Sequence, residues 1–371
     1  MAAGLLPLLL LLESTDKNVQ LETARTIANL AAASAETSGA ILAAGAIPRL
    51  GRLMQSLDKQ VQVAAARALG NLAQWSSEHG NLYVAADVIP PVARLLGSTD
   101  RNVQFEAARV IANLAAGNEK HGAAIVSAGA IPNLVRLLGK KDKDLQLEAA
   151  KAIVNMINGS GGHTSAVVKA GAVHPLMRML KSKEEDMQYY SVWALAKLSA
   201  GNAESRATLV SAGAIRPLVR LLDNDDKNMQ GEAAGAIANL AGHAEHLSVI
   251  MSEGAVRPLV RMLESMDKDV QHRAAWAIAN LAVDKAEHKA AIVSAGAIPR
   301  LVRLLASTNK GVQCYAAFAI ANLAAGNCEH EAAIVSAGAI PPLVRLLESN
   351  DMDVQVWASM LRGRTHVASF D

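Results

Sequence analysis

Six histidines are the residues whose regular spacing first suggests chemistry in this chain. Each stands eight residues before a register that returns through the sequence: His79, His121, His163, His246, His288 and His330. Zinc requires its nitrogen ligands within about 2.0–2.1 Å of one ion, whereas successive packed helices are about 8–10 Å apart. The spacing therefore predicts no metal site, and we expect these histidines to form hydrogen bonds at the start of a short helix.

The other patterns that suggest catalysis are incomplete. The stretch Gly159-Ser160-Gly161-Gly162 resembles a phosphate-binding loop, but it lacks the Lys-Ser/Thr ending that contacts phosphate and magnesium. No Ser/His/Asp arrangement, paired-carboxylate site or zinc-ligand spacing is recognisable in the sequence. We therefore predict that the chain is not an enzyme and needs no cofactor.

The register behind the histidine spacing is a repeat of 41 or 42 residues, most often beginning Gly-Ala-(Ile/Val). We predict about nine three-helix units, starting near residues 4, 45, 87, 129, 171, 213, 254, 296 and 338. A repeat that cannot bury its own apolar face packs against its neighbours, so such a chain forms a solenoid. Residues 1–371 are predicted to be one solenoid domain. The last unit is irregular, and we expect residues 359–371 to form a frayed tail.

Residues 87–128 illustrate the predicted unit. A first helix begins at Ile89-Pro90, since proline suits the first helical turn. A long helix follows Asp100, a good N-cap, and its apolar residues recur on one face from Val103 to Leu114. A short helix then ends at Gly129. The same cap position is occupied by Asp16, Asp58, Asp142, Glu184, Asp226, Asp267, Asn309 and Asp351, among which glutamate is the poor capping residue.

The unit Gly-Ala-Ile-Pro-x-Leu-Val-Arg-Leu-Leu, followed by Val-Gln-x-Glu-Ala-Ala-x-Ala-Ile-Ala-Asn-Leu-Ala, resembles the armadillo repeat over essentially the whole chain. It is similar to plant, algal and fungal cytosolic armadillo proteins, namely vacuolar-inheritance scaffolds and the arm domains of U-box ubiquitin ligases, and more distantly to importin-alpha. The resemblance implies an all-α, right-handed superhelical solenoid whose long helices line a concave groove. It also implies that this groove binds extended peptides or partner proteins.

By the same resemblance, three columns of long-helix side chains face the groove. The third column consists of Asn29, Asn71, Asn113, Asn155, Lys197, Asn239, Asn280 and Asn322. A side-chain amide offers a donor and an acceptor, so it can pair with the backbone of an extended ligand of any sequence. At about 8–10 Å per layer and about 3.3 Å per peptide residue, one asparagine would meet every second or third residue. The alternative, compatible with the first, is that these asparagines brace neighbouring helices.

The first two columns change character along the chain. The early units carry the i, i+3 pairs Glu22/Arg25, Glu106/Arg109 and Glu148/Lys151, which either contact a ligand or neutralise each other. Later units carry aromatic residues: Tyr190, Trp193, Trp276, Tyr315, Phe318 and Trp357. Because aromatic side chains are frequent binding anchors, we predict that they contact the ligand, except that Trp357 could instead contact a missing C-terminal cap. Arg273 occupies the same face.

Two features of the second half refine this prediction. Gly231 and Gly235 stand where side chains are expected, which predicts a gap that receives a ligand side chain. Trp276 with Asn280 reproduces the Trp-x-x-x-Asn pair that importin-alpha uses for basic peptides. Such pairs do not occupy consecutive units here, so nuclear import is not the favoured interpretation.

A column of arginines runs through the proline-containing helices: Arg52, Arg94, Arg136, Arg178, Arg220, Arg261, Arg303 and Arg345. These residues form either a positive stripe for acidic partners or bridges between layers. We favour bridges to carboxylates or to carbonyls at helix ends.

Composition limits the partners and the compartment. The net charge of +2, from 36 basic and 34 acidic side chains, does not favour nucleic acid. No apolar run approaches the about 20 residues of a membrane span, and the apolar start lacks the basic leader of a signal peptide. Two cysteines, Cys314 and Cys328, fit a reduced chain in the cytoplasm, with the nucleus as an alternative.

We therefore predict a protein- or peptide-binding scaffold or adaptor. The candidate binding residues are the third column together with Tyr190, Trp193, Arg273, Trp276, Tyr315 and Phe318. The alternatives are the substrate-binding arm of a larger ubiquitin ligase and a nuclear-import-type receptor for basic peptides. Self-association through uncapped ends is a further option.

Overall fold

The computed structural model describes residues 2–75, 80–159, 162–348 and 355 of the chain. These residues form α-helices and one 3-10 helix, Leu11–Glu13, and the described part contains no strand. The chain divides into two compact units, Met1–Ser205 and Arg206–Asp371, each built from the same helical repeat. The predicted all-α solenoid architecture is confirmed.

Three kinds of helix alternate in the 1–205 unit. The long helices are Lys17–Ala33, Lys59–Gln74, Arg101–Ala115, Lys143–Gly159 and Glu185–Ser199. Each follows a proline-containing helix, here called a proline helix: Ala2–Leu10, Ala46–Leu53, Ile89–Leu95, Ala130–Leu138 and Val173–Met179. The short helices are Ala35–Ala43, Gly80–Ala85, Glu119–Ser127, Gly162–Lys169 and Ala203–Ser211, the last of which contains the boundary between the units.

The 206–371 unit repeats this order. Its long helices are Lys227–Ala241, Lys268–Leu281 and Lys310–Ala324. Its proline helices are Ile215–Leu221, Val256–Met262, Ala297–Leu304 and Ile340–Leu347, and its short helices are Ala244–Ser252, Ala286–Ser294 and Cys328–Ser336. Asp351, Trp357 and the tail predicted at 359–371 lie outside the described residues.

Each three-helix repeat forms one layer of the stack. The core of a layer is the apolar face of its long helix. In Arg101–Ala115 the predicted face is buried, with Val103, Ala107, Val110 and Ile111 fully inaccessible. Alanine takes many of these positions throughout the chain, and its small side chain lets successive long helices approach closely. Packing of neighbouring layers therefore covers the face that one repeat alone would expose.

Among the described residues, the predicted N-caps form wherever the capping residue has a short acidic or amide side chain. Asp100 Oδ1 accepts from the backbone N–H groups of Asn102 and Val103 at 2.8 and 3.0 Å. Equivalent bonds are made by Asp16, Asp58, Asp142, Asp226, Asp267 and Asn309. Glu184 caps nothing with its side chain, because its longer carboxylate does not turn back onto the helix end.

The turn before each proline helix needs a left-handed residue. Seven glycines at this position have φ between +73° and +85°: Gly45, Gly129, Gly171, Gly213, Gly254, Gly296 and Gly338. Asp87 holds the same position with φ of +51°, and it is the one non-glycine residue with positive φ in the described part. A Cβ in this region is strained, so Asp87 stores local strain that its counterparts avoid.

The helix lengths and the exposed leucines bear on two further expectations, the lack of a membrane span and self-association. No single described helix is long and apolar enough to cross a membrane. Among the described helices, one pair, Glu119–Ser127 with Ala130–Leu138, reaches the required length and composition together, and its two helices are bent by 90°. Leu6, Leu10 and Leu11 are each about half exposed at the first layer. Self-association through this end stays a prediction.

Replacing Asp87 by glycine should stabilise the protein by about 1 kcal/mol, because the left-handed backbone then carries no Cβ. The midpoint of urea unfolding, followed by circular dichroism, should rise. Gly129→Ala, at the equivalent turn, is the matched opposite change and should lower it. An unchanged or lower midpoint for Asp87→Gly would contradict the assigned strain.

Replacing Glu184 by aspartate should also stabilise the fold, by about 1 kcal/mol, because the shorter carboxylate reaches the free N–H groups of the helix Glu185–Ser199. The matched control is Glu185→Asp, the same change one residue further on, which creates no cap. Equal unfolding midpoints for the two variants would show that capping at this helix is not limiting.

Candidate functional site

The three columns lie on one face of each long helix, here called the column face. In Arg101–Ala115 they are represented by Glu106, Arg109 and Asn113, three and four residues apart. This spacing brings side chains onto one side of a helix. Successive long helices repeat the arrangement within each compact unit, so each described layer has three neighbouring column positions, one of which, Gly235, carries no side chain.

Five asparagines of the third column, here called the ladder asparagines, bond to the preceding layer. In each case the side-chain Nδ2 donates to a backbone carbonyl 42 or 43 residues earlier. The pairs are Asn71 and Ala28, Asn113 and Gly70, Asn155 and Ala112, Asn280 and Ala238, and Asn322 and Ala279, at 2.8–3.0 Å. The expected bracing role is confirmed for these five layers.

The brace fixes the orientation of the amide. A carbonyl only accepts, so the amide nitrogen must face the stack and the carbonyl oxygen must point away from it. In Asn113, Asn155, Asn280 and Asn322 this oxygen and the second N–H have no hydrogen-bond partner among the described residues. All four side chains are half-buried.

The remaining members of the third column differ. Asn29 is exposed in the first layer and bonds to no described residue, since no earlier described layer offers a carbonyl. Asn239 is half-buried on Lys227–Ala241. Lys197 is a half-buried residue that replaces asparagine on Glu185–Ser199, and its ammonium makes no hydrogen bond or ion pair within the described part. An ammonium only donates, so this layer lacks the acceptor that an amide supplies.

The charged pairs of the first two columns form as the spacing predicts. Arg25 bonds Glu22 at 2.8 Å and Lys151 bonds Glu148 at 2.9 Å. Glu106 is nearly inaccessible and binds both Arg109 and Arg67, each at 2.8 Å. A buried carboxylate needs such compensation, so Glu106 joins two layers as well as neutralising its own.

Aromatic side chains cluster on the last long helix of the 1–205 unit. The rings of Tyr190 and Trp193 have centroids 6.0 Å apart, and Tyr189 lies 5.4 and 5.7 Å from them. Lys151 Nζ lies 5.6 Å from the Tyr190 ring, a cation–π distance. All three rings are half-buried, so each combines fixed packing with accessible surface. Sequence reasoning missed Tyr189, although its neighbour was a candidate.

The 206–371 unit carries a second aromatic group. The ring centroids of Trp276 and Tyr315 are 5.8 Å apart, and the His272 ring centroid lies 5.0 Å from that of Tyr315. Phe318 is half-buried one turn beyond Tyr315. Burial lowers the pKa of His272, which favours its neutral form against the aromatic ring. His272 was not among the predicted residues, because it stands beside the first column.

The predicted gap at Gly231 and Gly235 is wrong, because Arg273 fills it. Its Nη1 donates to the Gly231 carbonyl at 3.4 Å, and its Nη2 bonds Glu232 at 2.9 Å. A Cβ at Gly235 would lie 2.7 Å from Nη1. The glycines therefore make room for a guanidinium group from the next layer.

Two other columns make regular contacts, a glutamine column within each repeat and the arginine column between repeats. Gln104 Nε2 donates to the Ser98 and Leu96 carbonyls at the end of the proline helix, a capping role that the recurrent Val-Gln motif signalled and that sequence reasoning missed. The favoured bridging role of the arginine column is borne out at four positions. Arg136 donates to the Leu96 carbonyl, and Arg52, Arg261 and Arg303 pair with carboxylates of the preceding repeat.

Two of the histidines form the expected hydrogen bonds near the short helices, whereas the buried Nδ1 atoms of His121 and His288 have no hydrogen-bond partner among the described residues. His163 Nδ1 donates to the Met156 carbonyl and His330 Nδ1 to the Leu323 carbonyl, both at 3.1 Å. Burial lowers the pKa of His121 and of His246, which favours their neutral forms. Within the described ranges no three His, Cys, Asp or Glu side chains lie close enough to hold a metal ion. His79 and Ser160–Gly161 lie outside those ranges.

Known proteins share both the repeat and the fold. Residues 34–74, 83–116, 123–157, 162–200, 202–242, 243–283, 285–325 and 327–356 match the family model described as Armadillo/beta-catenin-like repeat. An engineered protein from the Northeast Structural Genomics Consortium is 41% identical with a TM-score of 0.92, covering 97% of this chain and 88% of that one. No curated protein matched.

Two designed proteins match about two thirds of the chain. A computationally designed armadillo repeat protein for modular peptide recognition is 33% identical, with a TM-score of 0.60. A designed armadillo repeat protein in complex with the peptide (KR)4 is 34% identical, with a TM-score of 0.59. Each match covers 63% of this chain and 99% of the designed one. Because eight segments match the repeat model and these solved structures share the fold, this chain belongs to the armadillo repeat family.

Proposed function

We propose that this armadillo protein is a non-enzymatic scaffold that holds an extended peptide, or an extended segment of a partner protein, along the column face. The ladder amides bind the ligand backbone, and the aromatic groups bind its side chains. The cytoplasmic location expected from the reduced cysteines belongs to the same proposal.

The observation that carries the proposal is the fixed orientation of the ladder amides. Asn113, Asn155, Asn280 and Asn322 each use one N–H for the brace, which leaves a carbonyl oxygen and one N–H for a ligand. An extended peptide alternates the complementary C=O and N–H groups. Because the brace already orders each amide, little side-chain entropy is lost when the peptide binds.

The aromatic groups supply side-chain contacts. Trp276 and Tyr315 pack against each other while both stay half-buried, and Tyr190 and Trp193 do the same in the other unit. Rigid aromatic surface of this kind provides contact area at low conformational cost. Arg273 is held by Glu232, so it contributes a fixed cation beside Trp276 rather than a flexible one.

Relatives support peptide binding as the kind of function. One designed neighbour is described for modular peptide recognition, and another is in complex with (KR)4. The (KR)4 complex of that designed protein, together with the Trp276/Asn280 pair of this chain, favours a basic peptide as the second candidate ligand for the 206–371 unit. The role of a ubiquitin-ligase arm stays a prediction.

Selection from a random 12-residue peptide library displayed on phage tests the proposal. The protein should enrich peptides with a common sequence, and Trp276→Ala should weaken binding of peptides held by the 206–371 unit about tenfold or more. Trp193→Ala should do the same for peptides held by the other unit. Fluorescence anisotropy with the synthesised peptides gives the dissociation constants.

Trp75→Ala is the matched control, because Trp75 lies outside the columns and donates to the Ala31 carbonyl at 2.7 Å. It should leave peptide affinity within about twofold. Circular dichroism must show native helix content in every variant. Failure to enrich any peptide, or equal affinity after both column tryptophans are removed, would defeat the proposed function.

A further inference from the structure

One residue interrupts the charge pattern of the early layers. Ala64 stands on Lys59–Gln74 where the neighbouring layers carry Glu22, Glu106 and Glu148. Each of those glutamates pairs with the cation three residues later on its own helix. Arg67 has no such partner, because Ala64 offers no carboxylate.

A cavity of about 450 Å³ opens beside Ala64 on the column face. Three of the residues that line it are cations, Arg25, Lys59 and Arg67. Asp100 is the one lining residue with a carboxylate. The cavity, here called the Ala64 pocket, lies wholly within the 1–205 unit.

Arg67 is incompletely neutralised. Its Nε donates to Glu106 Oε1 at 2.8 Å, but Arg109 already binds the other oxygen of that buried carboxylate. One carboxylate thus serves two guanidinium groups. The side chain of Arg67 is 55% exposed, and its Nη atoms have no partner among the described residues.

The other lining charges leave the pocket positive. Lys59 Nζ bonds only the neutral Gln62 side chain, at 3.2 Å. Arg25 pairs with Glu22, whose side chain is 66% exposed and therefore well screened by water. The Asp100 carboxylate accepts two backbone N–H groups as a helix cap, which directs its charge to the helix end.

The amide of this layer is also unusual. Asn71 donates to the Ala28 carbonyl, and its own Oδ1 accepts from Arg109 at 2.8 Å. Its acceptor is therefore occupied, unlike those of Asn113 and Asn155. The layer of the helix Lys59–Gln74 therefore has no free amide oxygen for a peptide backbone, but it has a cationic cavity.

We propose that the Ala64 pocket binds an anionic side chain, a carboxylate or a phosphate, of a peptide lying along the column face. The inference rests on the proposed function, because it specifies one side chain of that peptide. Guanidinium groups bind both anions through paired hydrogen bonds, and the free Nη atoms of Arg67 are available for this. Lys59 and Arg25 line the same pocket and add positive charge to it.

Ala64→Glu tests the pocket, because it restores the glutamate found in the adjacent layers. The new carboxylate should pair with Arg67, fill the cavity and repel an anion. Peptides selected from the 12-residue phage library by the wild-type protein should share an acidic residue at one position. Ala64→Glu should select peptides without that residue.

Synthetic versions of one selected peptide, with glutamate, phosphoserine or serine at that position, separate the two anions. The wild-type protein should bind the serine peptide about tenfold more weakly than at least one of the anionic peptides, by fluorescence anisotropy. Ala64→Glu should bind all three within about twofold. The better ligand of the wild type identifies the group as carboxylate or phosphate.

The double variant Lys59→Gln/Arg67→Gln removes two of the lining cations and should lose the preference for an acidic residue. It tests the pocket if Ala64→Glu does not show native helix content by circular dichroism. Lys120→Gln, which removes an exposed cation from the short helix Glu119–Ser127, is the matched charge control and should keep the acidic preference. Selected peptides without an acidic position, or an acidic preference that survives in a folded pocket variant, would overturn the inference while leaving the proposed function intact. Absence of any selected peptide would overturn both.

Discussion

The structure depends on one constraint: a repeat of this size has an apolar face that only the next repeat can cover. Alanine-rich long helices satisfy it by packing closely, and buried residues such as Ala107 and Ile111 show how completely the faces are covered. Close packing also brings polar side chains of one layer within reach of the backbone of another. The asparagine braces are a consequence of this approach, because each spans one layer at hydrogen-bonding distance.

The braces connect stability with binding. A hydrogen bond from Asn155 to the Ala112 carbonyl is worth about 1 kcal/mol to the fold. It also holds the other half of the amide at a fixed place on the column face. Where the pattern changes, the surface changes with it: Lys197 removes an acceptor, and Ala64 opens a cationic pocket. Binding specificity is therefore expected at departures from the repeat, on a scaffold that the regular positions hold rigid.

Much of this architecture followed from the sequence, because its causes are local. Asp100 and Gly129 predicted helix ends, and the i, i+3 spacing of Glu148 and Lys151 predicted their ion pair. Contacts between layers were harder to predict. Glycine at 235 indicated missing volume but not that Arg273, from the following repeat, would occupy it. Likewise, the sharing of the Glu106 carboxylate by Arg67 and Arg109 became visible only in the packed structure.

The central claim is that the ladder amides carry the ligand as well as the fold. Selective ¹⁵N-asparagine labelling allows their side-chain amide resonances to be followed by NMR during titration with a selected peptide. If the ladder amides bind the peptide backbone, resonances of at least two successive ladder residues should shift, such as Asn113 with Asn155 or Asn280 with Asn322. Asn133, on the proline helix Ala130–Leu138, should not shift. A peptide that binds without moving any ladder side-chain amide would contradict the account.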